Sequence, residues 1–317
     1  MSMTPRHSDL FRQAMAGAML AIAAAMPMKA RSEVTSPVLM INDDAAKAEV
    51  SVQQLRGNVS VLMGSGGNIT VLASPEGKLL VDAGIAVSKA RVSAALDSLG
   101  PGPLKYVIDT HYHWDHTDGN AWVHEAGATV VAHENTLKRL TSGTRVIEWG
   151  FFFPPAPPAA LPTIVVQNEK TIGFGGEDVM IRHYQNSGHT DTDLAVYFPR
   201  ENVLAVGDIW WNAHYPFIDN GAGGSIDGVI AWVTACIKSA NEDTIIVPGH
   251  GAVSNRAEFV EFREMLVEIR ANVARLKKQG KTLAETIAAK PTAKFDAKFG
   301  DFLINPAFFT QLVYMGV

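Results

Sequence analysis

One cysteine in 317 residues excludes an intramolecular disulfide. That cysteine, Cys236, falls in step with Val229, Ile230 and Val233 in a helical pattern, which predicts a buried packing thiol. A strong charge of either sign is missing as well: Lys and Arg number 27 against 32 Asp and Glu, a net charge of −5. No dense Lys/Arg tract appears, so nucleic acid is not an expected partner. No G-x-S-x-G elbow is present, which leaves a serine-nucleophile hydrolase without its signature. Long apolar runs are also scarce. The one uncharged stretch of note, Ala14 to Met28, is shorter than the twenty or so residues needed to span a bilayer. What remains is 47% hydrophobic and 19% charged, the balance of a globular chain with a sizeable core.

Arg6 and Arg12 precede the Ala14–Met28 run, and Lys29 closes it. A basic start, a short apolar segment and small residues after it predict a secretory signal over residues 1–30, with cleavage after Ala25 or Ala30. Residues 31–317 would then form a single domain in a periplasm or outside the cell, free of the membrane once the signal is removed.

The chemistry is concentrated in Thr110-His111-Tyr112-His113-Trp114-Asp115-His116. Four potential metal ligands fall within six residues, directly after the apolar run Tyr106-Val107-Ile108. Imidazole nitrogen and carboxylate oxygen both suit zinc. Such crowding is costly without positive charge among the side chains. Three later positions extend the pattern: His189 in Ser-Gly-His-Thr, Asp208 in Val-Gly-Asp, and His250 in Pro-Gly-His-Gly. Each lies at or just beyond the end of a β-like apolar run, so the scaffold can bring them to one rim.

These motifs, in this order, resemble the metallo-β-lactamase superfamily over roughly residues 50 to 255. The resemblance implies an α/β fold, a four-layer αββα sandwich of two facing mixed sheets with helices outside. It implies two zinc ions per chain, the first held by His111, His113 and His189 and the second by Asp115, His116 and His250. Asp208 is similar to the carboxylate that bridges both metals, and Asp82 to one that supports the site from behind. Two such ions roughly 3.5–4 Å apart would lower the pKa of a water toward about 7 and polarise the bond under attack. Asp115 and Asp208 are the expected catalytic carboxylates. The implied reaction is hydrolysis of an amide or ester in a small molecule, with a β-lactam or a lactone among the suitable substrates. A thioesterase of the glyoxalase II kind stays open, because an aspartate at 208 is commoner there than in β-lactamases proper. A di-iron redox protein is a third class, though no flavin domain accompanies it here. No feature speaks to oligomeric state.

Around the motif, residues 31–48 read as an irregular lead-in, and short strands begin near Ala48. Met63 to Asn68 is a turn, either a flap beside the metals or a plain hairpin bend. A helix is expected from Val87 to Leu99, and Thr117 or Asp118 is placed to cap one starting at Gly119 or Asn120. Trp149 to Pro158 runs four aromatics into four prolines, a pocket wall or a loop pinning its rings into the core. His183 reads as structural. His214 and Tyr215 follow Asp208 closely and are candidate substrate contacts. Ile226–Ala240 and Arg256–Lys278 read as amphipathic helices, and Thr282 with Glu285 as a capping box.

Overall fold

The computed structural model describes residues 36–317, so the expected signal segment lies outside the described residues. Two sheets dominate. The first has the order β1 (Ser51–Arg56), β2 (Val59–Met63), β3 (Ile69–Ser74), β4 (Gly77–Val81), β5 (Leu104–Ile108), β6 (Thr129–His133) and β9 (Ile164–Val166). Its first four strands are antiparallel neighbours, and β4, β5, β6 and β9 run parallel. The second sheet is ordered β10 (Glu169–Phe174), β11 (Glu177–Arg182), β12 (Ala195–Phe198), β13 (Val203–Ala205), β14 (Ile245–Val247) and β15 (Ser254–Asn255). Only its β13–β14 pair is parallel.

Alternation of side chains along each strand builds the layers. Val59, Val61, Leu79, Val81, Ile108 and Val131 of the first sheet meet Ile172, Val179, Ile181, Val196, Phe198 and Val203 of the second. The intervening residues of the first sheet, such as Leu62, Leu80, Val107 and Val130, face the opposite way. They pack with Val92 and Leu96 of the helix Lys89–Ser98 and with Trp122 and Val123. Behind the second sheet lies the largest cluster, built on the helices Ile226–Ser239, Arg256–Lys278 and Pro306–Gly316. The result is the four-layer αββα sandwich. Cys236 is fully buried in that outer layer, and burial pushes its thiol up to about 12. Among the described residues, no helix is long and apolar enough to cross a membrane.

Two local expectations are corrected. The lead-in contains a helix, Pro37–Ala45, with Pro37 in its first turn and Val38 and Ala45 buried. Its ends and middle are tied down: Ser36 donates to the Trp149 carbonyl, Asn42 accepts from Trp114 Nε1, and Arg91 donates to the Ala45 carbonyl. Thr117 and Asp118 do not cap the helix Asn120–Glu125, which begins after Gly119 without a side-chain cap. The Thr117 hydroxyl instead donates to the His113 carbonyl, and Asp118 accepts from the Ala86 N–H. The aromatic part of Trp149–Pro158 contributes a short strand, β8 (Phe151–Phe153), paired with β7 (Thr144–Val146) in a hairpin of its own.

Candidate metal centre

The ligand candidates all lie where chains leave the strands at one edge of the sandwich. His111 follows β5, Asp208 follows β13 and His250 follows β14, while His189 lies in the connection from β11 to β12. Backbone bonds clamp these connections together. Leu194 N–H donates to the Thr110 carbonyl, and Gly249 N–H to the Gly207 carbonyl. Asp115 and His116 occupy one helical turn, Trp114–Thr117, so their side chains diverge from the His111–His113 pair.

The turn Met63–Asn68 is not a free flap. Gly67 N–H donates to the Asp115 carbonyl, Asn68 N–H to the Gly249 carbonyl, and the Asn68 amide to the carbonyls of Pro248 and Gly251. It buttresses both ligand loops. A Cβ on Gly67 would lie 2.2 Å from the His116 ring, and one on Gly249 would lie 2.0 Å from Asp208 Oδ1. Both glycines are therefore required by close approach.

Seven ligand atoms converge in two groups, His111, His113, His189 and Asp208 in one, and Asp115, His116 and His250 in the other. Within each, the atoms lie inside 4.8 Å of one another. Asp208 belongs to both. Its Oδ2 stands 3.8 Å from His111 Nε2 and 3.6 Å from His189 Nε2, and its Oδ1 stands 3.1 Å from His116 Nε2 and 3.4 Å from His250 Nε2. Asp115 Oδ2 lies 3.2 Å from His250 Nε2.

Partners behind the ligands set the tautomers. Thr110 donates its hydroxyl to Asp82, so it accepts from His111 Nδ1 at 3.0 Å. His113 Nε2 donates to Asp219 at 3.0 Å, and His189 Nδ1 to the Phe217 carbonyl at 2.8 Å. His116 Nδ1 donates to Asp82 at 2.8 Å. The inner nitrogens are thus bare acceptors. His113 Nδ1 faces His111 Nε2 at 3.1 Å and His189 Nε2 at 2.9 Å, lone pair against lone pair. On the second side, His116 Nε2, His250 Nε2 and Asp208 Oδ1 are buried with no hydrogen-bond partner. Such an arrangement is stable only around positive charge. Three nitrogens and a carboxylate on one side, and two nitrogens and two carboxylates on the other, fit two divalent metal ions.

On the first side the electrostatics agree. Burial drives His111 well below the ordinary imidazole value and His189 down to about 4, which keeps both neutral as ligands must be. On the second, burial opposes charge, but Asp208 and Asp115 raise His116 well above the ordinary imidazole value and His250 to about 9. Without a cation these two imidazoles carry the positive charge the carboxylates demand. Burial also opposes charge on Asp208, yet His250, His116 and His111 around it hold its carboxyl well below the usual range. Asp82 sustains the centre at some strain: its φ is +68°, a left-handed conformation uncommon outside glycine. In return its carboxylate serves the Thr110 N–H, the Thr110 hydroxyl and His116.

All seven ligand candidates are brought together, and Asp82 stands behind them. Asp219 was not singled out from the sequence. It accepts from both His113 and the Tyr112 hydroxyl, and those partners overcome burial to hold its carboxyl down at about 2. Tyr215 is corrected as a substrate contact. It is fully buried, stacked on Phe309 at 4.6 Å, with its hydroxyl donated to Asp296 at 2.9 Å. His214 does not line the mouth directly but stacks at 4.1 Å on Phe302, which does. His183 is structural: it donates to the Asp193 carbonyl and stacks on His133 at 4.1 Å. The mouth over Asp115 and His250 is walled by Trp149, Trp211, Phe302 and Leu303, with Ile41 and Asp44 from the helix Pro37–Ala45. The Trp149 segment therefore both walls the mouth and pins its rings against the body of the protein, with half-buried Phe153 stacked on Trp114.

A family model described as the metallo-β-lactamase superfamily matches residues 62–250. Hydroxyacylglutathione hydrolase from Polaromonas sp. (strain JS666 / ATCC BAA-500) is 28% identical over 163 residues, 51% of this chain and 54% of that protein. The chain thus spans about half the length of that curated relative. Among solved structures, the stereoselective inverting sec-alkylsulfatase Pisa1 from Pseudomonas sp. superposes with a TM-score of 0.63 at 16% identity, covering 85% of this chain and 51% of that one. A metallo-β-lactamase from Pontibacter korlensis gives 0.56 at 18% identity, covering 69% and 99%. DIM-1 metallo-β-lactamase gives 0.54 at 18%, covering 69% and 97%. These structural likenesses establish the fold.

Proposed function

This chain belongs to the metallo-β-lactamase superfamily, and we propose that it is a dinuclear zinc hydrolase that opens an amide or ester bond in a small molecule. One observation carries the reading: the two oxygens of Asp208 point to two separate ligand groups, and the outer-nitrogen partners of His111, His113, His116 and His189 turn a ring nitrogen of each toward the cluster. Two zinc ions, when bound, would supply a nucleophilic water near neutral pH and polarise the scissile bond. The chain's own residues do the rest. His111, His113 and His189 would hold one ion, and Asp115, His116 and His250 the other. Asp208 would fix their separation, and Asp115 would orient the attacking water. Asp82 and Asp219 lock the imidazoles from behind. Trp149 and Trp211 exclude bulk water and pack the apolar part of the substrate. A β-lactam or a lactone would fit this chemistry.

A thioester is the second reading, favoured by the likeness to a hydroxyacylglutathione hydrolase. A panel of lactones, β-lactams, aryl esters and glutathione thioesters, assayed on zinc-loaded protein, separates them. The reading expects turnover of at least one acyl substrate and its loss on chelation. No turnover across the panel would refute it, and iron content with oxygen consumption would replace it with redox chemistry. We further propose export, from Arg6, Arg12 and the apolar run Ala14–Met28. The N-terminus of protein recovered outside the cytoplasm should begin between about residues 26 and 36, and an intact Met1 there would refute it.

A further inference from the structure

The cavity that reaches Asp115 and His250 has a distinctive charge pattern. Its walls are apolar: Trp149, Trp211, Phe302, Leu303 and Ile41. Among the described residues, its lining contains no Lys or Arg, and besides Asp115 on its floor it has one acidic side chain, Asp44. Burial and the neighbouring Asp43 raise the Asp44 carboxyl, and Lys47, just past the end of the same helix, offsets them in part. Lys47 pairs with Asp43, and Arg91 donates to the Ala45 carbonyl at the end of the helix. Neither lines the cavity.

The floor offers no surplus positive charge either. Four carboxylates stand in or behind the centre: Asp115 and Asp208 among the ligands, with Asp82 bonded to His116 and Asp219 to His113. Together they would offset the formal charge of two divalent cations held there. A carboxylate on a substrate tail would leave water for an apolar wall, find no cation in the lining among the described residues, and meet Asp44.

From this, and resting on the hydrolase reading above, we propose that the site takes uncharged, apolar acyl compounds and that Asp44 is the residue that turns away carboxylate-bearing ones. Glutathione thioesters and penicillin-like β-lactams both carry carboxylates and are disfavoured on this ground. Neutral aryl esters and lactones with alkyl chains are the class that fits. The carboxylate of Asp44 acts at the mouth and touches no reacting atom; its part is selection.

Binding and turnover are read separately to test this. The binding probes are N-phenylhexanamide and the monoanilide of adipic acid, alike but for a terminal carboxylate, titrated calorimetrically into zinc-loaded protein. The neutral anilide should bind about tenfold or more tightly than the charged one, and the gap should shrink with added salt. Asp44→Asn should narrow it to within about threefold, and Asp44→Lys should invert it. Circular dichroism checks that both variants keep the fold, which an exposed helix-surface position favours. Equal or tighter binding of the charged anilide to the wild type overturns the proposal. So does a gap that Asp44→Asn leaves unchanged, or failure of both anilides to bind. The matching 4-nitrophenyl esters are then assayed. Discrimination in binding with no turnover of either ester would sink the hydrolase reading and leave the selectivity standing.

Discussion

Asp219 takes the outer nitrogen of His113 and the hydroxyl of Tyr112 at once, and by doing so aims His113 Nδ1 at the cluster. Asp219→Asn can present the wrong atom to the imidazole and lose the tautomer. Zinc affinity should fall about 10- to 100-fold with the fold unchanged, measured by competition with a chromophoric chelator. Unchanged affinity would reduce Asp219 to a loop-closing residue. Tyr215 gives the opposite expectation. Its hydroxyl belongs to Asp296 and its ring to Phe309, so Tyr215→Phe should cost roughly 1–3 kcal/mol of stability and leave hydrolysis as it was. A drop in kcat/KM at an unchanged urea midpoint would instead put that hydroxyl in the reaction. The contrast shows what sequence proximity conveys. Tyr215 lies seven positions past Asp208, yet the chain turns it inward. Asp219 lies eleven positions past, and Asp219 N–H donates to the His189 carbonyl, which places it beside the ligands. No motif marks that return.

At the scale of elements, strands and long helices were legible because their periodicity matches their burial. Val179, Ile181, Val196 and Phe198 alternate into the inter-sheet core, and Phe259, Phe262, Leu266, Ile269 and Val273 form one buried helical stripe. The helix Pro37–Ala45 was not legible. Its sequence carries two adjacent aspartates and little amphipathic repeat, and tertiary bonds to Trp114, Trp149 and Arg91 hold it. Isolated helices of that length are marginal without such support. The capping box was legible and is present: Thr282 accepts from the Glu285 N–H, and Glu285 accepts from the Thr282 N–H. Thr282→Ala should cost about 1 kcal/mol, lowering the melting temperature by roughly 1.5–2 °C in a chain of this size. Calorimetry should see that shift with catalytic rates unaffected. Equal melting temperatures would mean the helix Leu283–Ala288 is held by packing alone.

In the molecule as a whole, the buried imidazoles should tie its stability, and any metal it holds, to pH. Burial, and then the stacked ring of His183, bring His133 down to about 4. The unfolded chain binds a proton at about 6.5. The contribution of neutral His133 is therefore complete above that value and is lost as pH falls toward 4. The urea midpoint of the wild type should decline across this window, and His133→Gln should decline less steeply. Parallel slopes would show that His133 does not carry the effect. The same acidification protonates metal ligands, so zinc should leave as stability falls. That coupling depends on the dinuclear centre itself, which a zinc titration of metal-stripped protein tests most directly. The wild type should take up two equivalents of zinc, and Asp208→Ala, with its fold intact by circular dichroism, should retain one and lose turnover by orders of magnitude. A wild type that saturates at one equivalent in excess zinc, or Asp208→Ala that keeps both ions and full turnover, would contradict a centre bridged by Asp208.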